Sequence, residues 1–302
     1  MHSKIESIEY YLPSKKKLDK KKFKKIYLKT GILSTRVKKL NDEVIDLAYN
    51  ACIKLGSKIK NIDGIIFVTQ TPRYLLPSCS CILQDKLSKI VDKNIYTIDL
   101  NMGCSGYIYG LSVADSLIKN KVCKKILLVC SDTYSDYISK TNSNKYIFSD
   151  AASATLICES KIKKIYNYQF YTDGSKHKSI IIRKNEKSDL EFSMNGSEVF
   201  AFTLNEVPKL INQYLKKIKK RKFLIKKFFL HQASGFILDN LARKFNKGLI
   251  YKNVKHIGNT TSSSIPISLK LALKSKKIKN GDNLLLCGFG VGLSVSIVSI
   301  TI

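Results

Sequence analysis

The segment N-M-G-C-S-G-Y-I-Y-G-L-S-V-A-D, residues 101–115, follows the β-branched and apolar run I-Y-T-I-D-L (95–100) and opens a long stretch with helical spacing. A strand, a tight turn and a helix that starts on small residues form one α/β unit. The turn places Cys104 where a nucleophile elbow would stand. A helix N-terminus carries the positive end of the backbone dipole, so the position is expected to lower the Cys104 pKa. A cysteine at such a turn is also a common small packing residue, and the choice between the two depends on its company.

Outward from this segment the same alternation continues. Periodicity predicts buried strands over 64–69, 95–100, 125–130, 154–158, 180–183, 228–231 and 284–288. It predicts helices over 42–55, 79–90, 105–120, 198–219, 234–245 and 264–273. The first half runs from I-I-F-V-T-Q-T-P through the Cys104 turn to I-L-L-V-C-S-D-T. The second half repeats that order, from F-F-L-H-Q-A-S through I-G-N-T-T-S-S-S-I-P to L-L-L-C-G-F-G-V-G. This pattern reads as a duplication, with halves 1–160 and 161–302 joined near the Lys/Ser/Ile-rich stretch 158–167. Two such halves facing each other bring the ends of corresponding strands to one seam.

Other polar residues fall on that seam. His231 ends a strand and precedes a helix, so its imidazole projects where α/β sites form. Asn259 lies in H-I-G-N-T-T-S-S-S-I-P, among small hydroxyl residues that admit a ligand closely. His256 reads as loop. The glycines of Gly288-Phe289-Gly290-Val291-Gly292 free backbone N–H groups to face a developing oxyanion. That run lacks the following helix and the downstream acid of a dinucleotide fingerprint. Cys79 and Cys81 have no second pair at zinc spacing, so no metal is expected.

The chain has 53 Lys+Arg against 23 Asp+Glu, a formal charge of +30, but only five of the cations are arginine. Readers of bases and phosphates rely on bidentate arginine, so the charge is read as solvated surface and no nucleic-acid role is expected. No run of about 18 apolar residues occurs and the first residues lack the order of a secretory signal. The expectation is a cytoplasmic protein without membrane attachment, its eight cysteines reduced.

Taken together, N-M-G-C-S-G-Y-I-Y-G (101–110), F-L-H-Q-A-S-G-F-I-L-D-N-L-A-R-K (229–244), H-I-G-N-T-T-S-S-S-I-P (256–266) and L-L-L-C-G-F-G-V-G-L-S (284–294) resemble the 3-oxoacyl-ACP synthase III family. Weaker matches are Y-Y-L-P-S-K-K-K-L (10–18), K-T-G-I-L-S-T-R (29–36), T-P-R-Y-L-L-P-S (71–78), I-F-S-D-A-A-S-A-T-L-I (147–157) and M-N-G-S-E-V-F-A-F-T-L (194–204). The resemblance implies a thiolase-like α/β fold whose duplicated halves form a five-layered αβαβα core. It implies the triad Cys104, His231 and Asn259, and an oxyanion hole from the N–H groups of Cys104 and Val291. It implies substrate contacts at Arg36, Leu76, Asn195, Gly196, Ala233 and Ser234, and carrier-protein docking at Arg243 and Lys244.

The implied reaction is a decarboxylating condensation of an acyl thioester, on coenzyme A or acyl carrier protein, with malonyl-ACP. It proceeds through an acyl-cysteine and gives 3-oxoacyl-ACP. The coenzyme A ester is substrate and no cofactor is needed; the implied assembly is a homodimer. The alternative is an acyltransferase of the same fold acting on a hydroxyl or amine. Four departures stand out: no tryptophan is available to stack on adenine, Ser234 stands where the family commonly has Asn, Phe236 replaces an arginine, and Met102 precedes the Gly-Cys pair.

Overall fold

Every residue of K-I-L-L-V-C-S-D after the first is buried, so both faces of this strand are covered. Ile126, Leu128 and Cys130 pack into one apolar cluster and Leu127 and Val129 into another, as the two-residue period of a strand requires. N-L-L-L-C-G-F-G behaves alike, with Leu284 and Leu286 on one side and Leu285, Cys287 and Phe289 on the other. Each strand is the middle of a sheet clad by helices on both faces.

The computed structural model describes residues 1–18, 24–139, 141–184, 189–219, 224–246 and 248–302. The first half comprises β1 (His2–Tyr11), β2 (Ser14–Lys17), α1 (Lys24–Thr30), β3 (Ser34–Val37), α2 (Val44–Cys52), β4 (Gly64–Val68), α3 (Cys79–Lys86), β5 (Tyr96–Leu100), α4 (Gly106–Lys119), β6 (Lys125–Asp132) and β7 (Ala151–Ser160). Then follow β8 (Ile165–Thr172), β9 (Ile180–Lys184), β10 (Leu190–Met194), α5 (Gly196–Lys219), β11 (Lys227–Leu230), α6 (Gly235–Lys244), α7 (Val254–Ile257), α8 (Ser264–Lys274), β12 (Asn283–Gly290) and β13 (Ser294–Thr301).

Two sheets carry the molecule, in the orders β1-β7-β6-β4-β5 and β8-β13-β12-β11. In the first, β1/β7 and β7/β6 are antiparallel and β6/β4 and β4/β5 parallel. The second repeats this: β8/β13 and β13/β12 antiparallel, β12/β11 parallel. Its counterpart of β5 is reduced to a parallel bridge between Phe228 and Ile250. All strands of the first sheet lie within residues 2–160 and all strands of the second within 165–301.

The three apolar clusters define the layers. One joins α2 and α3 to the outer face of the first sheet, the second joins α4 and α8 to the inner faces of both sheets, and the third joins α5 and α6 to the outer face of the second. The result is αβαβα. Two expectations are corrected. The run at 180–183 is not a buried core strand but β9, which pairs only with β10 in a half-exposed hairpin. His256 sits in the short helix α7 rather than in a loop.

Candidate active site

β5 ends at Leu100, and the chain turns through Met102, whose N–H bonds the Leu100 carbonyl at 2.9 Å. Cys104 therefore sits in the turn, with Ser105 as the cap of α4. β12, from the other half, runs directly past it. A Cβ on Gly288 would lie 2.7 Å from both the Cys104 carbonyl oxygen and Ser105 Cα, and one on Gly290 would lie 3.0 Å from Cys104 Sγ. Only glycine at these two positions lets the strand approach so closely. Hydroxyl bonds fix the contact: Ser105 Oγ lies 2.8 Å from Ser294 Oγ, and Ser296 Oγ donates to the Ser105 carbonyl at 3.0 Å.

The thiol is 5% exposed. Burial pushes its pKa up to about 12, the Asp132 carboxylate adds to the rise, and the backbone N–H groups of Cys104 and Val291 oppose it. The expected lowering by the helix N-terminus is thus corrected. Loss of hydration outweighs the dipole because no cation lies among the groups that act on the sulfur. The two N–H groups that favour the thiolate are the pair anticipated as oxyanion donors.

His231 follows the last residue of β11, and its N–H bonds the Cys287 carbonyl at 2.9 Å. Its ring is buried, edge-on to Phe289 at 5.4 Å, with Nδ1 2.8 Å from Ser264 Oγ. Burial lowers its pKa to about 3, against a hydrogen bond to the Thr261 backbone that favours the cation. The imidazole is neutral at working pH. Asn259 is held by backbone bonds to Ile147 and Ser149, and its Oδ1 accepts the Thr261 N–H at 2.9 Å. The carbonyl end of the carboxamide is thereby engaged, which leaves the NH2 end for a ligand.

Cys104, His231 and Asn259 line one cavity of about 700 Å³, together with Gly290 and Val291. Gly196, Ala233 and Ser234 line it too. Arg36, Asn195 and Leu76 do not line it. The Arg36 guanidinium on β3 reaches the Pro13 carbonyl at 3.5 Å; Asn195 caps α5 by accepting the Glu198 N–H at 3.2 Å; Leu76 is 82% exposed on the loop before α3. Arg243 and Lys244 lie exposed in the last turn of α6, whose first turn supplies Phe236 and Ile237 to the cavity wall.

The sequence reading missed the wall contributed by Ile26, Leu28 and Lys29 of α1, and missed Tyr134 and Phe148. Lys29 opens the K-T-G-I motif, which was a usable signal for α1. Tyr134 stands in no motif, and Phe148, in the I-F-S-D-A-A-S-A-T-L-I run, was not singled out; they stack at 5.0 Å only once the chain has folded.

Residues 98–174 match the family profile of 3-oxoacyl-(acyl-carrier-protein) synthase III, and residues 215–302 match that of its C-terminal part. The beta-ketoacyl-ACP synthase III of Fusobacterium nucleatum is 33% identical, over 89% of this chain and 87% of its own. Beta-ketoacyl-ACP synthase III 2 of Staphylococcus epidermidis is 33% identical over 97% and 96%. A crystal structure of a 3-oxoacyl-(acyl-carrier-protein) synthase III superposes with a TM-score of 0.91 at 31% identity, covering 100% of both chains. The 3-oxoacyl-(acyl-carrier protein) synthase of Burkholderia xenovorans gives 0.91 at 28%, covering 100% of this chain and 94% of that one. At this identity and coverage, and with both family profiles matched, the chain belongs to the 3-oxoacyl-ACP synthase III family of condensing acyltransferases.

Proposed function

We propose that the protein condenses an acyl thioester with malonyl-ACP by way of an acyl group on Cys104. One observation carries the reading: Cys104, His231 and Asn259 meet in one cavity, with the N–H groups of Cys104 and Val291 directed at the sulfur. In the loading step Sγ attacks the thioester carbonyl, the donor C–S bond breaks, and the thiol proton ends on the departing thiol. The two N–H groups hold the oxyanion in between.

Malonyl-ACP then loses CO2, and the electron pair moves onto its thioester oxygen. Asn259 Nδ2 and His231 Nε2 donate hydrogen bonds to that oxygen. Ser264 Oγ lies 2.8 Å from Nδ1, and this role calls for the neutral ring's proton on Nε2. The enolate carbon attacks the acyl carbonyl and expels Cys104. A neutral histidine suits this role, because it donates without titrating.

On the same reading the exposed basic residues Arg243 and Lys244 receive the acidic carrier protein, and the protein works in the cytoplasm. Two copies would join along β5, one of the two edges of the first sheet. Asp99 of β5 accepts the first N–H groups of α3 at 2.6 and 2.8 Å, which ties to that edge the helix that follows the exposed Tyr74, Leu75 and Leu76. Such an apolar cluster at an open edge calls for a partner surface. Among the described residues no helix is long and apolar enough to cross a membrane.

The test separates the two half-reactions. His231→Ala and Asn259→Ala are expected to take up acyl groups on Cys104, read by intact-mass spectrometry, yet to decarboxylate malonyl-ACP about 10²-fold more slowly. Unchanged malonyl-ACP turnover in both would favour transfer to a hydroxyl or amine instead.

A further inference from the structure

A second pocket of about 220 Å³ adjoins the first, bounded by Gln70, Asn101, Tyr134, Ile180, Phe192 and Val291. Tyr134, Ile180 and Val291 belong to both walls. The Gln70 side chain packs against Gly103, the residue before Cys104, and Val291 Cγ2 stands 3.3 Å from the position of a Cβ there. Cys104 lines the larger space, and the smaller one reaches the turn that carries it through Gln70 and Val291. A thioester has two arms at its carbonyl carbon. The larger cavity leads past Leu28 and Phe236, both exposed, so the arm that ends in the thiol fits there. The acyl arm is left with the smaller pocket.

Aromatic rings build one side of that pocket. Phe192 stands edge-on to Tyr134 at 5.6 Å and to Phe148 at 5.1 Å. Besides Asn101, the wall holds a hydrogen-bonded polar pair: the Tyr134 hydroxyl donates to Gln70 Oε1 at 3.1 Å. Both partners are held from behind. The Gln70 N–H bonds Asp132 Oδ1 at 2.9 Å, and the Tyr134 ring is stacked on Phe148. With its proton engaged, the Tyr134 oxygen keeps a lone pair, and Gln70 keeps its NH2 donors. The pair therefore offers one acceptor and one donor side by side. A hydroxyl satisfies both at once, whereas a methyl group in the same place takes water from both and returns nothing.

We propose that Gln70 and Tyr134 select a short acyl group bearing a hydroxyl on its second or third carbon. The proposal rests on the acyl-cysteine reading above. During loading the Cys104 Sγ–carbonyl bond forms and the donor C–S bond breaks, the thiol proton leaves with the departing thiol, and the hydroxyl is untouched.

The experiment compares N-acetylcysteamine thioesters of butyrate, 2-hydroxybutyrate and 3-hydroxybutyrate, which share one thiol arm and differ only in the acyl group. The readout is the rate of mass gain on Cys104 of the full-length protein. One hydroxybutyryl ester is expected to load at least about tenfold faster than butyryl, since a site built to bond a hydroxyl rejects the analogue without it. Gln70→Leu and Tyr134→Phe are each expected to bring that ratio toward one. Butyryl loading as fast as both hydroxyacyl esters in the unmodified protein overturns the selectivity and needs no variant. Failure of all three esters and of acetyl-coenzyme A to modify Cys104 overturns the acyl-cysteine reading, and the selectivity with it.

Discussion

A buried thiol whose pKa is pushed up to about 12 holds little free thiolate at neutral pH, so its reactivity is expected to rise steadily with alkalinity. Alkylation of Cys104 by iodoacetamide is expected to accelerate from pH 7 to 10 without a plateau; levelling below pH 8 would show that the dipole and N–H groups win after all. His231 makes an opposite demand on pH. Its folded pKa is about 3 against an ordinary 6.5, so below 6.5 the unfolded chain takes up a proton that the folded one refuses. Stability is therefore lost as pH falls from 6.5 toward 3, by up to about 1.4 kcal/mol per unit for this one site. Urea denaturation across that range is expected to show a shallower decline in His231→Gln, and parallel curves would refute the assignment. Cys104 and His231 were legible because each follows a strand just before a helix start, and Asn259 because it opens a run of small hydroxyl residues. Gln70 and Tyr134 were not, because their pairing joins two strand ends 64 positions apart.

At the scale of elements, the central strands β6 and β12 and the parallel edges β5 and β11 could be read, whereas the antiparallel edges β1 and β8 could not. β6 and β12 are apolar on both faces, whereas β1 (H-S-K-I-E-S-I-E-Y-Y) and β8 (I-Y-N-Y-Q-F-Y-T) are half-exposed edges whose polar residues mask the alternation. Helix α6 was read to within a residue at each end, because Ser234 caps it, accepting the Ile237 N–H at 3.1 Å, and its last turn is basic. Its two ends face different partners. Phe236 and Ile237 line the cavity, while Arg243 and Lys244 point to solvent with charge suited to an acidic carrier. Reversing both, Arg243→Glu with Lys244→Glu, is expected to raise the KM for malonyl-ACP severalfold and flatten its salt dependence. Loading from a small thioester is expected to stay within about twofold. Equal loss in both assays would mean that the helix had been damaged.

Across the whole molecule the halves share the α4/α8 layer, and they share one buried carboxylate. Asp132, at the end of β6, accepts on Oδ1 from the Gln70 N–H at 2.9 Å and Thr69 Oγ1 at 3.3 Å, both from the first half. Its Oδ2 accepts from Thr261 Oγ1 and Ser262 Oγ, each at 2.6 Å, both from the second. Burial raises its pKa and these bonds oppose the rise, so the carboxylate is held by donors alone. One of the donors is itself strained: Thr261 has φ of 46°, a conformation that costs a side-chain-bearing residue about 1–2 kcal/mol. The same Thr261 fixes Asn259 through its N–H. Removing the carboxylate therefore strands several donors and frees the strained turn together. Asp132→Ala is expected to lower unfolding stability by about 3–5 kcal/mol, as for other broken buried charge networks. Asp132→Asn should lie between, since an amide nitrogen turned toward either set of hydroxyls accepts nothing. Because the middle layer is common to both halves, unfolding should stay a single transition in every variant. In Asp132→Asn, malonyl-ACP decarboxylation, which depends on Asn259, should fall further than acyl loading of Cys104. A variant that unfolds at the wild-type urea midpoint, or that loses both half-reactions equally, would show that the carboxylate neither ties the halves nor sets the Asn259 amide.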